Sequence, residues 1–279
     1  MARGLCNCVG LLGAFASIPA LWLWHTVGSA SSTASTAVSI VELPAVRHAI
    51  ASELVYRLQQ PNNSADVVAL DGAAAGLVDA GAAGLQSPAT QQVVRAAVEG
   101  GYHLLTNASS GAVRVDIRPG LNSMLDAMRA IDHRVPGLPG DFGVVTIGTT
   151  GSRPPNLSSA RSIDRAIAFG GLGAAFVGFL AAWLLSRRGV DRKLRGLGWK
   201  IAVVGALWVI LAQLIRLAPA SFGDNAHLWT KAALSSAKAW LASSLTLFAG
   251  VVTACGLAIV VTGAVVGAVR RSRVGALTA

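Results

Sequence analysis

Charged side chains are scarce in this chain. Only 13 % of its 279 residues are Asp, Glu, Lys or Arg, whereas 53 % are hydrophobic. Soluble domains carry a charge on about a quarter of their residues. The deficit therefore favours contact with lipid over an ordinary water-soluble fold.

Cysteine is equally scarce, with three residues in the chain. Cys6 and Cys8 precede the first apolar stretch and Cys255 lies in the last one, so the long segment between the first two stretches has no disulfide framework. No His or Cys lies near Cys6 and Cys8 in the sequence, which favours an inert pair. We predict no metal and no cofactor.

Four stretches are apolar enough to cross a bilayer, which takes roughly 20 residues of helix. We place transmembrane segments at 9–27, 164–186, 201–218 and 243–269. The third has only fifteen uncharged residues, Ile201 to Ile215, so a buried helix is the alternative there. The flanking Lys200 and Arg216 can extend their charges to the headgroups, which favours a span.

The basic residues predict the orientation. With the amino terminus (1–8), a basic loop (187–200) and the tail (270–279) in the cytoplasm, these short segments hold ten basic residues and one acid. Residues 32–163 hold nine Arg and ten acids. The formal net charge of +10 therefore follows from topology, and no basic patch remains for nucleic acid. We predict a multi-pass plasma-membrane protein with both termini in the cytoplasm.

The first span has a second interpretation. Gly28-Ser29-Ala30 is a small-residue site after an apolar run, as in a signal peptide cleaved after Ala30. The run is nineteen residues long, and only Arg3 precedes it as a charged residue. Because signal peptides have shorter apolar regions, we expect this segment to remain as an anchor.

Residues 28–163 are predicted to form a small, mainly helical α+β domain outside the cytoplasm. A Ser/Thr/Ala-rich linker at 29–39 leads to helices that begin near Pro44, Pro88 and Pro119. Residues 112–117 alternate with period two, and 142–147 have the composition of a second strand. Two strands alone are marginal, so they must lie against the helices. A polar tether at 149–157 then leads to the second span.

The segment 219–242 is predicted to be an outer loop that contains an amphipathic helix. Trp229 and Trp240 lie on its apolar arc. This pattern fits a helix at the outer interface, or the solvent end of an over-long last helix.

Small residues recur at every fourth position within the spans. Such faces let helix backbones approach closely, and we predict that they pack the bundle or form a homo-oligomer. The predicted packing residues are Gly170, Ala174 and Gly178 in the second span and Gly250, Ala254, Gly263 and Gly267 in the fourth.

Polar groups in the spans are few. Gln213 and Arg216 lie one turn apart near the end of the third span, and with Trp229 and Trp240 they are candidates for contact with lipid or a partner. His48, His103 and His133 fall in no ligand or catalytic motif, so no catalytic residue is predicted.

Four segments of the chain resemble a family of actinobacterial integral membrane proteins without an established activity. They are Leu43-Pro44-Ala45-Val46, residues 88–94 with His103 following, residues 111–119, and the strand at 142–147. The resemblance implies several spans, an extracytoplasmic domain after the first span and an actinobacterial envelope. It implies no reaction.

The leading hypothesis is a non-enzymatic envelope protein whose outer domain binds a partner or scaffolds other envelope components. One alternative is an accessory subunit for export of lipids or small molecules, with a groove in the outer domain or at Gln213 and Arg216. A second alternative is an extracytoplasmic hydrolase whose site is assembled without a recognisable motif.

Overall fold

The structure is a computed structural model that describes residues 2–58, 74–106, 112–135, 137, 143–147, 158–186, 189–218 and 228–277. The chain divides into two compact units. The first, here called the helical unit, comprises Met1–His25, Ala160–Ala218 and Leu241–Ala279. The second, the α+β unit, comprises Thr26–Ser159 and Pro219–Trp240. The predicted tether at 149–157 and the start of the predicted outer loop, 219–227, lie outside the described residues.

Four long helices supply the apolar segments. They are α1 (Ala2–Val27), α7 (Ser158–Leu184), α8 (Val190–Leu217) and α9 (Leu228–Leu277). Within the described residues, each of these four has the length and composition needed to cross a membrane. The protein is therefore a membrane protein, and the predicted number of four spanning helices is confirmed at this level.

One predicted loop boundary is wrong, because residues 190–200, assigned to a basic loop, form the first turns of α8. Residues 228–242 are helical as part of α9, which agrees with the predicted alternative that this segment begins an over-long last helix. Both helices exceed the hydrocarbon thickness: 28 residues of α8 make about 42 Å and 50 residues of α9 about 75 Å. The prediction began the third span after Lys200, whereas the helical hydrogen bonding of α8 already includes the charged residues before it. Ile201 to Ile215 is thus the middle of a longer helix.

Helices α1, α8 and α9 share a hydrophobic core. Its buried members are Ile18, Val204 and Ala249, one from each helix. Beside them, the rings of Phe15 and Trp208 lie 4.9 Å apart between centroids at an angle of 31°. The apolar surfaces of three helices are thus packed against one another around one cluster.

A proline in α1 explains the main polar contact of this core. In a helix the N–H of residue i donates to the carbonyl of residue i−4, but Pro19 has no N–H, so the carbonyl of Phe15 lacks its helical donor. The indole Nε1 of Trp208 donates to that carbonyl over 2.8 Å. An unpaired backbone carbonyl is costly in an apolar environment, so this bond fastens α8 to α1 at the level of the proline.

Replacing Trp208 by Phe tests whether the hydrogen bond to the Phe15 carbonyl stabilises the protein. Trp208→Phe keeps an aromatic ring beside Phe15 but leaves the carbonyl of Phe15 unpaired, at a cost of about 1–3 kcal/mol. Pro19→Ala restores the helical donor, so Trp208→Phe should lower the unfolding temperature less in the Pro19→Ala background than in the native chain. Thermal unfolding of the four proteins in one detergent measures the coupling. Equal losses in both backgrounds would refute the explanation.

The described part of the α+β unit contains five short helices and a sheet. In chain order these are α2 (Ala30–Val41), α3 (Pro44–Leu58), α4 (Ala74–Gly84), α5 (Pro88–Thr106), β1 (Val113–Asp116), α6 (Arg118–Arg129) and β2 (Val144–Ile147). The two strands pair antiparallel with Val115 opposite Val145, which confirms the predicted pair. Strand β1 packs on α5, where Gly100 faces the side chain of Val113. The fold is mainly helical with one two-stranded sheet, as predicted.

The predicted linker at 29–39 is wrong, because Ala30–Val41 is helix α2. Ser29 caps it in a reciprocal capping box with Ser32, and Ala34 and Val38 are buried on one face. The neighbouring α5 holds both ends of this helix. The Tyr102 hydroxyl donates to the Gly28 carbonyl over 2.9 Å, and Gln91 Nε2 donates to Glu42 Oε1 over 3.1 Å. Tertiary contact thus outweighs the weak helix propensity of Ser and Thr.

The core of the α+β unit lies between α3, α4 and α6. Leu77, Met124 and Met128 are its largest fully buried side chains. Gly84 permits the contact of α4 with α6, since a methyl group there would lie 2.7 Å from the Ser123 carbonyl oxygen. Burial of this kind contributes about 1.5–3 kcal/mol per large side chain and holds α6 and the adjoining sheet in place.

Candidate functional site

The small residues predicted to pack the helices are the largest group of predicted site residues. Of the three in α7, two contact α1. A methyl group at Gly178 would lie 2.6 Å from the backbone nitrogen of Gly10. The Ala174 methyl lies opposite Gly13, 3.1 Å from where a Cβ of Gly13 would be. Gly170 is different, because no heavy atom lies within 4 Å of the position of its Cβ among the described residues.

On α9 the predicted set also divides in two. Gly263 and Gly267 lie against Leu194 and Arg195 of α8, with Cβ positions within 3.0 Å of their atoms. Gly250 has no such neighbour in the described chain, and Ala254 is exposed. Homo-oligomer formation through these faces stays a prediction.

Sequence reasoning missed the close contacts between α8 and α9 that involve Gly198, Gly205 and Gly256. On α8, Gly198 and Gly205 lie against the backbone of α9, and Gly256 of α9 lies against Gly198 and Ala202. The spacing of Gly198, Ala202 and Gly205 by four and three residues was the available signal. It was overlooked because Gly198 falls outside the segment assigned to the third span.

Alanine substitutions should separate the two kinds of glycine. Gly170→Ala and Gly250→Ala gain helix propensity without a clash and should stabilise by up to about 1 kcal/mol. Gly178→Ala and Gly256→Ala place a methyl group against the backbone of the facing helix, and should destabilise by about 1–3 kcal/mol despite the same gain. Unfolding temperatures in detergent give the sign. The same sign for all four variants would contradict the assignment.

The predicted lipid or partner contacts lie on α8 and α9, and their contact with lipid or a partner stays a prediction. Gln213 Nε2 donates to Thr246 Oγ1 of α9 over 3.3 Å, so it takes part in helix packing. Arg216, one turn further along α8, is exposed. Trp240 is half-buried, and the side chain of Trp229 lies outside the described part of the chain.

A basic cavity lies between the amino-terminal end of α8 and the carboxyl-terminal end of the apolar part of α9. It has a volume of about 570 Å³ and is lined by Gly189, Asp191, Arg192, Arg195, Gly267, Arg270 and Arg271. The first four residues begin α8 and the last three end the apolar part of α9, so residues far apart in sequence form its walls. The described lining residues thus include four arginines and one acid.

Arg195 is one of the residues that line this cavity. A Cβ at Gly267 would lie 2.8 Å from Arg195 Nη2, so the missing side chain of Gly267 makes room for the guanidinium. The buried Nε of Arg195 has no hydrogen-bond partner among the described residues. Arg271, another lining residue, donates from Nε to the Gly267 carbonyl over 3.2 Å.

Cationic side chains also line the neighbouring end of α8. Lys193 Nζ lies 5.7 Å from the centroid of the Trp183 ring, and Lys200 Nζ lies 5.9 Å from that of Phe179. Lys200 donates to Asn7 Oδ1. These lysines are engaged with aromatic and amide groups of α1 and α7, whereas the arginines of the cavity are grouped together.

The outer edge of β2 presents polar backbone groups of the α+β unit. The bond from Ile117 N to the Gly143 carbonyl, with the observed register, directs the backbone groups of 143, 145 and 147 toward β1. Those of Val144 and Thr146 point away from it. Among the described residues no strand pairs with this edge.

Side chains on β2 are also uncovered. Val144 is 44 % exposed and Val145 is 43 % exposed. Exposed strand edges are commonly protected by charge or proline, and β2 contains neither. Gly143, with φ of 124°, supplies the backbone turn that leads into it.

The histidines are not brought together into a metal site. His48 lies on α3, where Nδ1 is 2.8 Å from the Pro44 carbonyl and Nε2 is 3.1 Å from Asp79 Oδ1. His103 lies on α5 and His133 in the turn after α6. No group of three His, Cys, Asp or Glu side chains suited to a metal occurs in the described ranges.

No protein family, curated protein or solved structure matches the chain.

Proposed function

We propose that the protein is a non-enzymatic envelope protein of the plasma membrane whose α+β unit lies outside the cytoplasm and binds a protein partner. In this proposal both termini are cytoplasmic, and the envelope is that of an actinobacterium. The distribution of charge supports the orientation: the segments beside the spans at 1–8, 187–200 and 270–279 hold ten basic residues and one acid.

The observation that carries the proposal is the uncharged edge of β2. Val144 and Thr146 offer backbone donors and acceptors, and Val144 and Val145 offer apolar side chains. This combination fits strand addition, in which an extended segment extends the sheet and its side chains lie on the exposed valines. The partner is thus a protein with an accessible extended segment of uncharged, β-branched residues.

The rest of the α+β unit supports a binding role. Its core is packed around Leu77, Met124 and Met128, and β1, which pairs with the edge strand, packs on α5. A two-stranded sheet is marginal alone, and a third strand would stabilise it. Binding at this edge therefore orders the partner without requiring the domain to refold.

A photo-crosslinking experiment on the full chain in cells tests the proposal. A photoreactive residue at Val144 should form an adduct with one protein. One at Asp126, an exposed position on α6 whose side chain is 68 % accessible, should not. Thr146→Pro should abolish the Val144 adduct, because proline removes an outward donor while the bonds to β1 remain.

Thr146→Ala is the matched control, since it keeps the backbone N–H and should keep the adduct. The unfolding temperature of Thr146→Pro should stay close to that of the control. An adduct that survives Thr146→Pro, or forms equally well from Asp126, would rule out binding at this edge.

A further inference from the structure

We propose that the basic cavity of the helical unit binds the phosphate of an anionic phospholipid. Seven of the described residues line this cavity. It belongs to the helical unit, so the inference is independent of partner binding by the α+β unit. It concerns a second ligand class, a phosphodiester that carries a negative charge.

The positive charge of the cavity favours binding of an anion. Arg192, Arg195, Arg270 and Arg271 line one space of about 570 Å³, and Asp191 is the sole acid among its described lining residues. Grouped guanidinium groups repel one another, and a bound phosphate offsets that repulsion with charge-assisted hydrogen bonds. Arginine suits this ligand because its planar donors match phosphate oxygens two at a time.

The start of α8 favours an anion in the cavity as well. The cavity lies at the amino terminus of α8, where Gly189 offers no side-chain cap to the first N–H groups. A helix amino terminus favours negative charge.

The position of the cavity favours a lipid over a free phosphate. It lies where the apolar parts of α8 and α9 end, and this is the level of the headgroups. Val190, Val266 and Val269 beside it are 50 %, 39 % and 48 % exposed. A phospholipid therefore places its phosphate among the arginines and its acyl chains on these valines. Basic pockets between transmembrane helices hold headgroups in this way.

Native mass spectrometry of the full chain in mild detergent tests the proposal. The probes are phosphatidylglycerol and phosphatidylcholine with identical acyl chains. The native protein should retain phosphatidylglycerol about tenfold better, and combined Arg195→Gln and Arg270→Gln should remove that preference. Arg216→Gln is the matched control, because this exposed arginine lies at the other end of α8 and its loss should change nothing.

Asp191→Asn is the control that distinguishes a specific loss of lipid binding from a loss caused by misfolding. Removing the single acid should strengthen retention of phosphatidylglycerol, a gain that a damaged fold does not give. Equal retention of the two lipids by the native protein would overturn the proposal. Loss of the preference in Arg216→Gln rather than in the cavity variant would also overturn it. Displacement of the lipid by millimolar inorganic phosphate would reassign the cavity to a free phosphate.

Discussion

The hydrogen bond from Trp208 to the Phe15 carbonyl is the constraint on which the helical unit depends. A transmembrane helix must satisfy its backbone groups within protein, because lipid offers no donor. Pro19 removes one donor from α1, and the indole of α8 replaces it over 2.8 Å. The same indole packs on Phe15, next to the cluster of Ile18, Val204 and Ala249. One directional bond thus fixes which residues of α1 and α8 lie side by side, and the shared cluster extends that alignment to α9.

Close packing of α8 and α9 then follows from residues without side chains. Gly198, Gly205 and Gly256 let the two backbones approach, and the contact continues to Gly263 and Gly267. Dispersion supplies the attraction, since lipid removes the hydrophobic difference between protein and solvent. At the last of these contacts the approach brings Arg270 and Arg271 beside the first turn of α8. The packing of small residues therefore determines where like charges meet.

Much of the fold could be predicted from the sequence, and the errors have physical causes. Long apolar runs identify four spans, and period-two alternation identifies β1, because both signals are local. Helix α2 was missed because its stability comes from α5: Tyr102 and Gln91 hold its ends, and Ser-rich composition alone indicates a loop. The continuation of α8 through residues 190–200 was missed because charge marks the end of lipid and not the end of a helix. Which glycines face a neighbour depends on the relative rotation of two helices, and composition does not encode that.

The two proposed sites share one reason for being invisible in the sequence. Neither consists of a motif: the edge of β2 consists of backbone groups, and the cavity joins residues 189–195 to residues 267–271. The sequence also offered a sufficient explanation for the arginines, since topology requires positive charge beside the spans. Topology explains why these residues are positively charged and on which side of the membrane they lie. Arginines dispersed along the same segments would meet that requirement equally well. It does not require four of them to line one cavity. That excess over the topological requirement is what indicates a ligand.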